Sequence, residues 1–120
     1  MTHVLIIDDS PTEIHVFKMI LEKNQIQVSV ANNGEEGIEK ALEIKPDLIL
    51  MDVVMPGKNG FQATRDLSRN PATSTIPVII ITTKDQETDK IWGMRQGAKD
   101  YLVKPANEKE LIASINKILA

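Results

Sequence analysis

The sequence predicts a doubly wound α/β domain, a five-stranded parallel sheet with helices on both faces. Three observations point to it. Apolar runs of strand length alternate with stretches of helical period from one end of the chain to the other. The runs Leu48–Met51 and Pro77–Thr83 are apolar without alternation, as strands buried on both faces are. Between the strands lie helix-start signals, a Ser or Asn followed three residues later by Glu, and no internal repeat or linker breaks the order.

Val4–Ile7 is the first strand and ends on Asp8-Asp9. Ser10-Pro11-Thr12-Glu13 has the form of a capping box, with Pro11 in the first helical position and Glu13 reaching back. The helix it opens turns Ile14, Phe17, Ile20 and Leu21 inward and ends near Asn24. Gln25–Ala31 alternates polar residues with Ile26, Val28 and Val30, the pattern of a half-exposed edge strand. Asn33 caps a second helix with Ile38, Ala41, Leu42 and Ile44 inward. A Pro46-Asp47 turn opens the central strand, which ends on Asp52 before the Pro56-Gly57 loop. Phe61, Thr64 and Leu67 mark a short helix that stops by Asn70-Pro71. The β-branched run Pro77–Thr83 is the fourth strand, and Asp85–Gly97 a fourth helix with Ile91, Trp92 and Met94 as its weak apolar face. Asp100–Val103 is a short last strand ending in Lys104-Pro105. Asn107 then caps a helix with Leu111, Ile112, Ile115, Ile118 and Leu119 on its apolar side.

Length and composition bound the function. A chain of 120 residues suits one domain, residues 1–120, able to build its own core. There is no cysteine, and the two histidines, His3 and His15, cannot make a zinc site unaided. A net charge of −3 without a basic stripe argues against nucleic-acid binding. No run approaches a membrane span and no signal peptide is visible, so a cytoplasmic location without membrane insertion is expected. The first strand is not followed by a glycine-rich phosphate loop, which argues against a nucleotide- or flavin-binding flavodoxin-like domain.

In a parallel sheet the carboxyl ends of all strands share one edge, so Asp8, Asp9, Asp52, Thr82 and Lys104 converge from across the sequence. Carboxylates so gathered repel one another, and a lysine with a hard divalent cation can compensate them. Oxygen-only ligands favour Mg²⁺ or Mn²⁺. An acidic pocket neutralised by Lys104 alone is the other possibility.

Asp8-Asp9, Met51-Asp52 with Met55-Pro56 and Gly60, Thr82, and Tyr101 with Lys104-Pro105 together resemble the receiver domain of two-component response regulators over essentially the full chain. Asp9-Ser10-Pro11-Thr12-Glu13, Asn59–Arg65 and Thr82–Lys90 with Trp92-Gly93 bring the likeness closer to stand-alone receivers of type IV pilus twitching motility. The resemblance implies a flavodoxin-like (βα)5 fold with strand order 2-1-3-4-5 and a cis Lys104-Pro105 bond. It also implies that Asp52 accepts a phosphoryl group from a histidine kinase or histidine phosphotransfer domain. Mg²⁺ would be held by Asp9, Asp52 and the backbone carbonyl of Val54, with Asp8 acting through a bound water. Thr82, Lys104 and Tyr101 would form the switch, Tyr101 moving inward as Thr82 turns to the phosphoryl group. Output would be a protein target on the surface of the fourth helix, fifth strand and fifth helix.

The resemblance implies a signalling protein, not an enzyme for an external substrate. Phosphatases with an aspartyl phosphate intermediate carry a second acid two residues after the nucleophile, and Val54 stands there. A phosphate sink or an unphosphorylated adaptor stays open. Val54, Thr83 and Lys84 depart from a fast-cycling pattern and predict slow loss of phosphate. His15 reads as a surface residue, and Trp92 as either core packing or a contact on the output face.

Overall fold

The computed structural model describes all residues, Met1–Ala120. Its five strands are β1 (His3–Ile7), β2 (Gln27–Ala31), β3 (Leu48–Met51), β4 (Val78–Thr82) and β5 (Asp100–Val103), all parallel in the order β2-β1-β3-β4-β5. The helices are α1 (Pro11–Lys23), α2 (Gly34–Ile44), α3 (Gly60–Arg69), α4 (Glu87–Arg95) and α5 (Glu108–Leu119). The flavodoxin-like order and the edge position of β2 follow the sequence reading.

Each strand sends successive side chains to opposite faces, which makes two cores from one set of apolar runs. Leu5, Ile7, Ile49, Met51 and Ile80 join Ala41 of α2 and Phe61, Ala63 and Leu67 of α3 on one face. Val4, Ile6, Leu48, Leu50, Ile79 and Ile81 join Phe17 and Leu21 of α1 and Leu111 and Ile115 of α5 on the other. No helix is long and apolar enough to cross a membrane.

Local chemistry starts the helices where the cap residues predict. Ser10, Asn33, Asn59 and Asn107 each accept a backbone N–H from the residue three positions on. The Ser10 cap differs in one respect. The Ser10 N–H donates to Asp8 Oδ1 at 2.9 Å, so the reciprocal half of the capping box comes from the buried Asp8 and not from Glu13.

Three apolar assignments are corrected. Leu119, the last residue of α5, is exposed at the helix end. Leu42 is exposed, because the inward direction of α2 is taken by Gly34, Gly37 and Ala41. On α4, Ile91, Trp92 and Met94 are all more than 40% exposed. The only buried residue of α4 is Gly93. A Cβ built there would lie 2.9 Å from Ile80 Cδ1 and 3.0 Å from the Tyr101 ring, so the helix seats on the sheet through its missing side chain.

Candidate functional site

Parallel strands deliver the predicted residues to one edge. Asp8 follows β1, Asp52 follows β3, Thr82 ends β4 and Lys104 follows β5. Lys104 Nζ lies 3.0 Å from Asp8 Oδ2 and 3.7 Å from Asp52 Oδ1, and all three side chains are at least nine-tenths buried. The metal-competent oxygens of Asp8, Asp9 and Asp52 lie within 4.8 Å of one another, with Asp9 exposed at the rim. Three carboxylates against one ammonium leave two net negative charges when all are ionised, and oxygen donors of this kind suit a hard divalent cation.

Burial decides the energetics. A desolvated ion pair gives little net stability, but removing one partner strands the other and costs about 3–5 kcal/mol. Lys104 therefore holds two buried acids, and Phe17 holds Lys104: the ammonium sits 5.8 Å from the centroid of the Phe17 ring. This second function of Phe17 had no signal in the sequence beyond its core-facing helical position.

Burial raises the Asp52 carboxyl above its usual range. The Lys104 ammonium pulls it down, Asp8 pushes it up, the Val53 N–H lowers it and Asp9 raises it. The Val53 N–H donates to Asp52 Oδ1 at 2.8 Å. A carboxylate with a raised folded-state pKa penalises the fold above that pKa. The penalty shrinks as pH falls through it and vanishes below the unfolded value of 3.8. In metal-free buffer Asp52→Asn is accordingly more stable than the parent chain at neutral pH, and chemical-denaturation midpoints converge as pH approaches 3.8. A constant difference across that range contradicts burial as its cause.

The residues expected to form a switch are less simply placed. Thr82 is fully buried and its Oγ1 accepts the Lys84 N–H at 3.4 Å. Tyr101 already lies inward at 6% exposure, its hydroxyl donating to the Lys84 carbonyl at 2.8 Å. The inward position expected to follow from Thr82 is thus the one seen here, and Gly93 supplies the room for the ring. Burial, with Asp89 and Asp85 nearby, pushes the Tyr101 hydroxyl up to about 12, so it remains a donor. The Lys104-Pro105 bond is cis.

Around the mouth, Val54 is 58% exposed and lines, with Met55, Phe61 and Lys84, a groove of about 410 Å³. The Lys84 ammonium leans to Asp89 at 4.0 Å. Thr83 and His15 are exposed. Gly60, at the start of α3, is pinned against the Asp52 segment: a Cβ there would fall 2.0 Å from the Asp52 carbonyl oxygen.

Residues 4–116 match the response regulator receiver domain, and the chain belongs to that family. It is 58% identical over 120 residues to protein PilH of Pseudomonas aeruginosa, covering 100% of this chain and 99% of that protein. Against the transcriptional regulatory protein ResD of Bacillus subtilis it is 35% identical over 118 residues, 98% of this chain but 48% of ResD. Among solved structures, the chemotaxis protein CheY4 of Vibrio cholerae superposes with a TM-score of 0.92 at 29% identity, covering 99% of both chains. The chain is a response regulator of two-component signalling.

Proposed function

We propose that Asp52 is the phosphoacceptor and that the chain acts as a single receiver unit switching a protein target. The observation that carries this reading is the buried Lys104 between Asp8 and Asp52, which gathers charge at a strand end for no evident structural gain. An Asp52 carboxylate oxygen forms a bond to phosphorus as the P–N bond of a phosphohistidine breaks, and the electron pair returns to the imidazole. Asp9, Asp52 and the Val54 carbonyl would hold Mg²⁺, or Mn²⁺, with Asp8 acting through a bound water. The metal supplies charge neutralisation for the phosphoryl oxygens. Lys104 neutralises a further oxygen, and Thr82 donates its hydroxyl to another. Tyr101, seated between α4 and Thr82's strand, passes that rearrangement to the surface of α4, β5 and α5.

The donor is a histidine kinase or histidine phosphotransfer domain. The full-length likeness to PilH supports a place in type IV pilus twitching motility, with action in the cytoplasm. A phosphate sink in the same pathway is separated from a signal by the phosphoprotein's half-life: a partner that binds the phosphorylated form prolongs it, and a sink has no such partner.

The exposed Val54 predicts slow hydrolysis, since its side chain offers no hydrogen bond to a water approaching Asp52. One hydrogen bond worth ~1 kcal/mol in the transition state changes a rate roughly fivefold. Val54→Asn is expected to lose phosphate about fivefold faster once the phosphodonor is removed at constant Mg²⁺. Equal or slower decay excludes water positioning at this residue as the limit on lifetime. The direct test of the phosphoacceptor itself is phosphoryl incorporation, compared between the parent chain and Asp52→Asn.

A further inference from the structure

We propose that the α3–α4 side of the molecule is a docking surface for an acidic segment of a partner protein, adjoining the α4–β5–α5 surface along α4 and extending from there over α3. Trp92 lines, with Phe61, Gln62, Arg65 and Gln96, a groove of about 240 Å³ between the two helices. A second depression of about 530 Å³ shares Gln62 and Arg65 and adds Arg69. Arg95 follows Trp92 at the next turn of α4, three residues on, and is exposed.

The distribution of residue types is what makes this surface distinctive. The chain has one tryptophan and three arginines, and all of them lie on α3 or α4. Every ion pair in the molecule uses a lysine, and Arg65, Arg69 and Arg95 take part in none. The neighbouring acids are already engaged, Asp66 with the Lys58 ammonium, Glu35 with the Lys58 N–H and Asp89 with Lys84. Exposed Trp and Arg are the residue types that dominate protein interfaces. Guanidinium groups without an internal partner present planar forks that match carboxylates two bonds at a time.

The occupant follows from chemistry. Arg65 beside the indole, with Arg69 one turn further along α3 and Arg95 one turn further along α4, calls for carboxylates flanking an apolar anchor, which a polypeptide carries on one strand or helix face. A nucleic-acid backbone is a continuous polyanion, and a chain of net charge −3 without a basic stripe offers it no track. This proposal goes beyond the phosphoacceptor reading and does not depend on it.

The test places a photo-cross-linking residue at Gln96 in the full chain, expressed in its native cells, and sequences the peptide captured. One partner protein is expected, cross-linked through a segment in which Asp or Glu flanks an apolar residue. Capture should fall about tenfold when Arg65, Arg69 and Arg95 are all changed to Gln, with the thermal midpoint unchanged. The captured segment, made as a synthetic peptide, should then shift Trp92 fluorescence, less so at high salt. Overturning results are no capture, capture of nucleic acid or of a second copy of this chain, a captured segment without acidic residues, or capture indifferent to the three substitutions.

Discussion

Asp9→Ala is expected to lose Mg²⁺-dependent phosphoryl transfer by about a hundredfold or more while remaining folded. Asp9 is the exposed member of the three-carboxylate group, whose oxygens lie within 4.8 Å of one another. Its removal would take one proposed ligand from a divalent ion and leave the buried Lys104–Asp8 pair, at 3.0 Å, intact. It also relieves repulsion, because Asp9 is among the charges that raise the Asp52 carboxyl. Thermal melting in chelator should therefore show a midpoint equal to or above that of the parent, and Mg²⁺ should no longer raise it. Parent-like phosphorylation rates for Asp9→Ala would remove the acidic cluster from the metal site.

The largest expected loss of stability is at Gly60. An alanine there would put its Cβ 2.0 Å from the Asp52 carbonyl oxygen and 2.8 Å from the Val53 Cα. Both neighbours are backbone, held by the Gly60 N–H to Val53 carbonyl bond at 2.9 Å and by the Asp52 N–H to Ile7 carbonyl bond at 2.9 Å. No rotamer change relieves the clash. A cost of about 3 kcal/mol or more follows, at the upper end for overpacking, and lowers the melting midpoint by roughly 10 °C. A midpoint within about 2 °C of the parent would show that the loop yields freely and that Gly60 does not position Asp52.

The sequence carried the sheet and the site in unequal measure. The meeting of Asp8, Asp52, Thr82 and Lys104 was legible because a parallel sheet gathers the ends of its strands on one edge, wherever they fall in the chain, whereas the order of the strands came with the family resemblance. The lysine's burial was not legible. Nothing in the local pattern places the ammonium 5.8 Å from the Phe17 ring, a contact between α1 and the segment after β5. The fourth helix was misread for a different reason. Large apolar residues ordinarily mark the inward face of a helix, whereas α4 approaches the sheet at Gly93 and leaves Ile91, Trp92 and Met94 outside. A glycine that permits close approach has no hydrophobic signal. The same omission hid the room in which Tyr101 lies. Likewise Leu42 fits the helical period of α2, but Gly37 against Ile7 and Ala41 in the core take the contact with the sheet, while Gly34 packs on Lys58. At Ser10 the cap residue was legible and its partner was not, since the choice between Glu13 and Asp8 depends on where β1 leaves the sheet.

The phosphoacceptor assignment is tested most directly by intact mass after incubation with a small phosphodonor and Mg²⁺. The parent chain should gain one phosphoryl group, with none in Asp52→Asn and none in chelator. An equal increment in Asp52→Asn, or no increment in the parent chain under those conditions, would contradict Asp52 as the group on which this response regulator turns.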